Sequence, residues 1–146
     1  MKVYLDVCAI QRPLDTPSHL RIVLEAEAVL GILTLCEEGR LTLVASEALY
    51  YEIRKNPHPL RRAYALAVIR QAKVYLKVSE AVETRARWLV NQGFKPLDAL
   101  HLALAEQGNV DYFCTTDDKL LKRAQRLTEV DVKVVSPLAL VEEIER

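Results

Sequence analysis

The sequence predicts an α/β domain built on a mainly parallel central sheet. Short apolar segments of strand composition alternate along the chain with longer segments of helical periodicity. This alternation is typical of parallel sheets, whose right-handed crossovers place helices on both faces. The 146 residues fit one domain, and 51% hydrophobic residues against 27% charged ones are enough to fill a core. No repeat, low-complexity stretch or linker divides the sequence, so we expect a single domain over residues 1–146.

The strands are predicted from apolar runs bounded by turn residues. The first run follows Met1 directly, and the stretch after it, with Pro13, Asp15 and Pro17, is expected to be a loop. The third run shows only rough alternation of apolar and polar residues. In chain order, the predicted strands are residues 2–5, 41–45, 74–78, 112–116 and 132–135.

The helices are predicted from apolar spacing and from residues that begin or end helices. Ser18, Ser46 and Ser79 are placed as N-caps, and Gly39 and Gly93 follow two of the predicted ends. Proline suits the first turn of the helices that begin at residues 96 and 137. The predicted helices are 18–38, 47–54, 60–72, 79–91, 96–107, 117–127 and a terminal one from Pro137.

Acidic residues follow several of the predicted strands. Asp6 comes after the first strand, Glu47 and Glu52 after the second, and Asp117 after the strand that ends at Thr116. In open parallel sheets the ligand crevice lies beyond the carboxyl ends of the strands, so these acids should lie along one edge. Asp98 differs from them, because it occupies the first turn of a predicted helix.

Each acid also has a purely structural interpretation. Asp117 is in position to be an N-cap, Asp98 lies where a helix dipole favours a negative charge, and Glu52 stands beside Arg54 and Lys55. Their joint placement favours a metal site instead, because crowded carboxylates repel one another unless a cation neutralises them. Oxygen ligands of this kind suit Mg²⁺ or Mn²⁺, which can activate water for attack on a phosphodiester.

Four segments of the sequence resemble the PIN-domain family, which includes VapC-type toxin ribonucleases. They are VYLDVCAIQRP at 3–13, SEALYYE at 46–52, KPLDALHLA at 95–103 and FCTTDDKL at 113–120. The resemblance implies a three-layer α/β/α sandwich, a divalent metal (Mg²⁺ or Mn²⁺) and hydrolysis of RNA. By family position it assigns the catalytic and metal-binding acids as Asp6, Glu52, Asp98 and Asp117.

The resemblance also suggests supporting roles and partners. Asp118 and Thr116 are expected to assist the metal ligands, while Cys8 stands where many family members carry a small polar residue. A thiol is a weak hydrogen-bonding group, so the support of Asp6 is expected to differ. A VapC-like toxin would have an antitoxin partner, and the family makes a homodimer a reasonable expectation.

Two assignments near these acids remain open. Glu47 and Glu52 point about 140° apart on one helix, so both cannot easily ligate one ion. Glu52 matches the family spacing, and Glu47 is kept as an alternative in a supporting role. Arg12 is a candidate contact for a substrate phosphate, or else a solvated loop arginine.

Basic residues form two clusters near the acids in the sequence, and they suggest an electrostatic rim for RNA. One cluster lies near the second acidic segment, which contains Glu52, and the other follows Asp117. Their members are Arg54, Lys55, Arg61 and Arg62, and Lys119, Lys122, Arg123 and Arg126.

Composition excludes other classes of protein. The net charge of zero argues against a generic nucleic-acid coat protein, and three cysteines without a CxxC pair form no zinc or disulfide pattern. Cys8 and Cys114 are expected to be buried thiols. With no signal segment or membrane span, we expect a soluble, cytoplasmic protein. The competing function is a PIN-fold binding or scaffold module with little catalysis, whereas a phosphatase would need a second aspartate close after Asp6.

Overall fold

The computed structural model describes residues 1–145 and contains a five-stranded parallel sheet. The strands lie in the order β3-β2-β1-β4-β5. They are β1 (Lys2–Leu5), β2 (Thr42–Ser46), β3 (Val74–Leu76), β4 (Tyr112–Cys114) and β5 (Lys133–Val135). Every neighbouring pair is parallel, which confirms the predicted sheet.

Eight helices cover the two faces of this sheet among the described residues. They are α1 (Val7–Gln11), α2 (Leu20–Glu37), α3 (Glu47–Arg54), α4 (Pro59–Ile69), α5 (Glu80–Asn91), α6 (Pro96–Gln107), α7 (Asp118–Arg126) and α8 (Pro137–Glu145). Helices α2 and α8 pack on each other, while α1, α3, α4, α5 and α6 form a second connected group. The result is the three-layer α/β/α sandwich implied by the family resemblance. Within residues 1–145, no helix is both long and apolar enough to cross a membrane.

Strand β1 is the centre of the sheet, and it places the first acidic residue. Its Val3, Tyr4 and Leu5 are completely buried, and Tyr4 stacks on Phe113 of β4 with ring centroids 5.1 Å apart. After β1 the chain builds the sheet outward through β2 and β3 and then returns to the other side of β1 to form β4. The strand order therefore reverses between β1 and β4, and this is where open α/β sheets bind ligands.

The connection between β1 and α2 differs from the loop that was predicted there. Residues 7–11 form α1, and a short 3₁₀ turn follows at Arg12–Leu14. The helix begins there because the Asp6 side chain accepts a hydrogen bond from the Ala9 N–H and so caps it. The predicted cap at Ser18 is wrong, because the N-cap of α2 is His19, whose side chain makes no capping hydrogen bond.

Strand β4 is shorter than predicted, because it ends at Cys114 rather than at Thr116. The Asp6 N–H bonds to the Cys114 carbonyl, but beyond that point the chain turns from β1 into α1. Residues 115–117 therefore lose their neighbour on the β1 side. They form a connection to α7 at the carboxyl edge of the sheet.

Candidate active site at the carboxyl edge of the sheet

Asp6 lies at the carboxyl end of β1 and is held by three hydrogen-bonding groups. Its Oδ1 accepts from the Ala9 N–H and from the Cys8 thiol, each at 3.0 Å, and the Thr115 side chain also contacts it. Only 7% of Asp6 is exposed. Burial raises the pKa of its carboxyl to about 6, and the hydrogen bonds offset part of that rise. A carboxylate kept in so unfavourable a setting is a group with which a cation would interact strongly.

The two cysteines predicted to be buried have different environments. Cys114 is buried in β4 as expected, but Cys8 is exposed, and that prediction is wrong. The Cys8 side chain follows the N-cap and lies against the Asp6 carboxylate instead of entering the core. The thiol therefore supports Asp6 in the place where a small polar residue was expected.

Thr115 is a supporting residue that sequence reasoning missed. Its hydroxyl lies 3.5 Å from the Cys8 sulfur and accepts a hydrogen bond of 3.0 Å from the Asp117 N–H. Thr115 therefore connects the surroundings of Asp6 to the backbone of Asp117. Thr116, which was predicted to support the metal ligands, is buried next to it, and its carbonyl accepts from Arg21. The run of two threonines before Asp117 was the available signal, but only the register with β1 identifies which of them faces Asp6.

Asp98 and Asp117 lie close enough to influence each other. Asp117 is the N-cap of α7 and accepts from the Lys119 and Leu120 N–H groups, so its structural role is real. Asp98 is half-buried in the first turn of α6. Burial is the main cause that raises the pKa of Asp98, and the negative charge of Asp117 raises it further, followed by a smaller contribution from Glu52.

Glu52 is held in place by a chain of buried polar side chains. His101 Nε2 lies 2.8 Å from Glu52 Oε1, and His101 Nδ1 lies 2.6 Å from the Tyr4 hydroxyl. The Tyr4 hydroxyl in turn lies 2.7 Å from Ser46 Oγ, which accepts from the Leu49 N–H. His101 is thus a buried polar residue that is bonded to the site on both ring nitrogens. Tyr4 was missed, although a tyrosine in a fully buried strand needs a partner for its hydroxyl.

The remaining predicted residues have other partners. Glu47 Oε1 accepts from the Val78 N–H beyond β3, and both carboxylate oxygens of Asp118 bind Arg21 at 2.7 and 2.8 Å. Arg12 contacts Asp15 at 2.8 Å and Glu25 at 3.0 Å, so a phosphate at Arg12 would compete with two carboxylates. The structure therefore brings Asp6, Glu52, Asp98 and Asp117 to one edge and engages these other three side chains elsewhere.

Glu25 explains why Arg12 and Arg21 are held so firmly. It is only 2% exposed, and its Oε1 lies 3.0 Å from Arg12 and 3.4 Å from Arg21 in ion pairs. The sequence carried a signal for this residue, because Glu25 falls on the buried stripe of α2 that continues through Ala28, Val29 and Ile32. An acid on an apolar stripe requires a cationic partner.

A basic wall adjoins Asp98 and Asp117. Lys95, Lys119 and Arg123 line the same depression as the two aspartates. A neighbouring depression shares Lys119 and Arg123 and adds further cations of α7, namely Lys122 and Arg126. The second basic cluster of the sequence thus forms a continuous surface next to the acids.

Gly93 allows Arg123 to take its place in this wall. A Cβ at Gly93 would overlap Arg123 Nη1, so the guanidinium occupies space that the absent side chain leaves open and would have to shift if a Cβ were added. The φ of Gly93 is +106°, a conformation that side chains with a Cβ rarely adopt. The glycine predicted to end α5 therefore also positions a cation.

The donor chemistry of the site fits a hard divalent cation, although the ligands are not gathered in advance. Within residues 1–145, no three His, Cys, Asp or Glu side chains form a ready metal-binding group. Mg²⁺ typically needs only one or two carboxylates and keeps several waters. The raised pKa values of Asp6 and Asp98 are the electrostatic signature of acids that a cation would relieve.

Comparison with known proteins supports the fold found here. A family model described as PIN domain matches residues 13–119. This range contains Glu52, Asp98 and Asp117, whereas Asp6 lies before it. No curated protein matches the sequence.

Several solved structures share this fold at low sequence identity. VapBC2 from Rickettsia felis, bound to a promoter DNA fragment, matches with a TM-score of 0.62 and 13% identity over 93% of this chain and 98% of that one. FitAcB from Neisseria gonorrhoeae matches with a TM-score of 0.56 and 15% identity, again over 93% of this chain and 98% of that one. VapC20 from Mycobacterium tuberculosis, a toxin that cleaves the sarcin–ricin loop, matches with a TM-score of 0.54 and 17% identity, over 81% of this chain and 92% of that one.

Proposed function

The chain belongs to the PIN-domain family, and from the geometry of its acidic site we propose that it is a divalent-metal-dependent endoribonuclease. The observation that carries the proposal is the position of Asp6, Asp98 and Asp117 beside the point where the strand order reverses, with Glu52 held next to them by His101. A cluster of partly desolvated acids next to a basic wall matches the two needs of a phosphodiester hydrolase, a metal site and a binding surface for phosphates.

Mg²⁺ or Mn²⁺ would be held by Asp6 and Asp98, with Asp117 and Glu52 as further ligands. The ion would supply an activated water and stabilise the charge that develops on the phosphate. The protein's own groups do the rest. His101 and Tyr4 orient Glu52, the Ala9 N–H and the Cys8 thiol orient Asp6, and Arg123 and Lys119 bind the RNA backbone beside them.

The biological setting proposed is that of a toxin in a toxin–antitoxin pair. The solved structures of similar fold include VapBC and FitAB complexes from bacteria, so a protein antitoxin is the proposed partner. A homodimer and a cytoplasmic location belong to the same proposal. Coexpression with the neighbouring reading frame, followed by purification, would test the antitoxin partner directly.

The enzymatic test uses purified protein and a mixture of unlabelled RNA and end-labelled RNA oligonucleotides. We expect cleavage with added Mn²⁺ or Mg²⁺, none with EDTA, and loss of cleavage in Asp6→Asn and in Asp98→Asn. Asp131→Asn removes an exposed carboxylate beside β5 and is the matched control that should remain active. Metal-dependent cleavage that survives both site substitutions would exclude this site, and a wild-type protein inactive on every RNA would favour a binding module.

A further inference from the structure

An exposed group of three tyrosines lies beside the acidic edge of the sheet, outside the site described above. Tyr50 and Tyr51 of α3 and Tyr75 of β3 are 43%, 54% and 49% exposed. They line one depression together with Arg54 and Lys55, and we call these three tyrosines the tyrosine platform. Aromatic side chains are usually buried because they carry large apolar area, so three open rings at one place indicate a binding surface.

The platform arises from the pattern of one helix face and one edge strand. Residues 47, 50, 51 and 54 of α3 and the C-cap residue Lys55 are spaced to share a face, and all five are exposed. Tyr75 projects from β3, the short outer strand of the sheet. Glu47 joins the two elements, because its carboxylate accepts from the Val78 N–H.

Cations already lie on two of the rings. The Lys55 ammonium is 4.5 Å from the centre of the Tyr51 ring, and the Arg54 guanidinium is 5.5 Å from that of Tyr50. A second depression continues from Tyr50 and Tyr75 past Leu66 and Ile69 to Arg70. Arg54, Lys55 and Arg70 form no ion pair with any residue between 1 and 145, so the surface offers three cations against the single carboxylate of Glu47.

We propose that the tyrosine platform binds unpaired nucleotides of a single-stranded RNA, with bases stacked on the rings and phosphates on Arg54, Lys55 and Arg70. Exposed aromatic rings beside cations that carry no ion pair are what single-stranded nucleic acids need, because every base has a face that can stack on a ring and every linkage carries a negative charge. An apolar peptide would gain nothing from three unneutralised cations. The chemistry therefore favours a polyanion with stacking groups, such as RNA, over an apolar peptide.

The platform is connected to the acidic site through the chain itself. Tyr51 and Glu52 are consecutive residues of α3, so the platform begins one residue from the acid that His101 holds, although the two side chains point about 100° apart around the helix. This inference rests on the proposed nuclease function for its biological meaning, but binding can be measured without cleavage. The platform would then hold the nucleotides on one side of the cleaved bond, while the α7 wall lies on the other side, near Asp117.

The test measures RNA binding by fluorescence anisotropy. The probe is a fluorescein-labelled 12-nucleotide oligouridylate with 2′-O-methyl groups, and EDTA is present, so that the probe is bound without being cleaved. Tyr51→Leu combined with Tyr75→Leu should weaken binding about tenfold or more, since each stacked base typically contributes that much. Tyr51→Phe combined with Tyr75→Phe keeps the rings and should bind as the wild type does. Comparing the leucine variant with the phenylalanine variant separates stacking from apolar contact, because leucine preserves apolar contact but cannot stack on a base.

Salt dependence provides an independent measurement of the phosphate contacts. Lys55→Ala should weaken binding and reduce the slope of log affinity against log salt by about 0.7, the value for one phosphate contact on a single strand. Arg40→Ala is the matched control, because Arg40 is 69% exposed and lies just before β2, at the opposite edge of the sheet. It should change neither affinity nor slope.

The outcomes separate this inference from the nuclease proposal. Oligonucleotide affinity unchanged in the leucine pair would overturn the platform, even if the protein cleaves RNA. Ring-dependent binding by a protein that cleaves no RNA would support the platform and contradict the nuclease. Sedimentation of the same variants tests whether a second copy of the chain binds the platform instead. If the leucine pair turns a dimer into a monomer and leaves RNA affinity unchanged, the face is a contact between two copies of the chain.

Discussion

His101 Nε2 lies 2.8 Å from Glu52 Oε1, so a side chain of α6 fixes the orientation of an acid on α3. An ionised carboxylate only accepts hydrogen bonds, so Nε2 carries a proton. His101 Nδ1 lies within hydrogen-bonding distance of the Tyr4 hydroxyl, whose pKa is raised, mainly by burial. One chain of hydrogen bonds thus joins Ser46, Tyr4, His101 and Glu52, and it connects the centre of the sheet to the site.

The first prediction concerns this chain. His101→Ala should lower RNA cleavage by about 10- to 100-fold, because partners that orient metal ligands typically contribute this much. Tyr4→Phe keeps the ring stack on Phe113 and removes only the hydroxyl, so it should cost about 1–3 kcal/mol of unfolding free energy by leaving His101 Nδ1 without its hydrogen-bond partner. Cleavage rates and urea unfolding measure the two effects.

His58→Ala is the control for His101, since His58 is exposed and its side chain does not cap α4. It should change neither cleavage nor stability. If His101→Ala cleaves RNA at the wild-type rate while remaining folded, the orientation of Glu52 by His101 is irrelevant to catalysis.

The second prediction is that Asp6 costs stability in the metal-free protein. The pKa of Asp6 is 3.8 in the unfolded reference and about 6 in the folded protein, so the folded state holds its proton more tightly. The free energy of unfolding should therefore fall as pH rises from about 4 to about 6 and stay low above that range. Asp6→Asn removes the charge and should be more stable by roughly 2–3 kcal/mol at pH 7.5.

Urea unfolding with EDTA between pH 4 and 8 measures the effect of Asp6. The gain of Asp6→Asn should shrink towards zero near pH 4, and Mn²⁺ should stabilise the wild type more than the variant. A variant that is less stable than the wild type at pH 7.5 would contradict the prediction. Asp131→Asn should show no such pH-dependent gain.

The third prediction separates a buried ion pair from an exposed one on the same network. Glu25→Ala should cost about 3 kcal/mol, because it leaves Arg12 and Arg21 without the buried carboxylate that they share. Asp118→Ala breaks an ion pair whose two partners are about half exposed, and it should cost much less than Glu25→Ala because water screens an exposed pair. Thermal unfolding compares the two variants, and equal losses would contradict the distinction.

The same network tests the sequence-based assignment of Arg12. Arg12→Gln should lower the stability, since Arg12 contacts Asp15 and Glu25, and it should leave the salt dependence of RNA binding unchanged. A reduced salt slope with unchanged stability would instead support Arg12 as a phosphate contact.

The sequence predicted the strands and helices well, because their signals are local. Apolar runs, the serine caps at Ser46 and Ser79 and the proline at residue 96 all act within one turn of the chain, and the structure confirms those elements. The errors fall where contacts between distant parts of the chain decide where an element begins or ends. Val7–Gln11 becomes a helix because Asp6 caps it, and β4 ends early because its neighbour turns away.

The candidate site could be predicted only in part, because only some of its residues carry a local signal in the sequence. Its acids could be located at strand ends from sequence, but their supports come from distant elements. Tyr4 meets His101 across 97 positions, and Thr115 meets Cys8 across 107. Such pairs carry no local pattern, so only the parallel register of β1 with β2 and β4 brings them together.

The last prediction concerns Gly93 and Arg123, which should act as one unit in binding RNA. Arg123→Ala should weaken the binding of RNA and reduce its salt slope by about 0.7, with little change in stability. Gly93→Ala places a Cβ against the Arg123 guanidinium and must shift it, so it should weaken binding, but less than Arg123→Ala does because the cation remains at the surface. It should also destabilise the protein, because alanine is strained at a φ of +106°.

A double-mutant cycle distinguishes displacement of Arg123 from a general distortion. Once Arg123 is alanine, Gly93→Ala has no guanidinium to displace, so the second substitution should cause no further loss of RNA affinity while its cost in stability remains. Additive losses of affinity would mean that Gly93 acts on the site by another route. Arg87→Ala removes a cation that is 73% exposed and that, among residues 1–145, forms an ion pair only with Glu83 of α5. It is the control and should leave affinity unchanged.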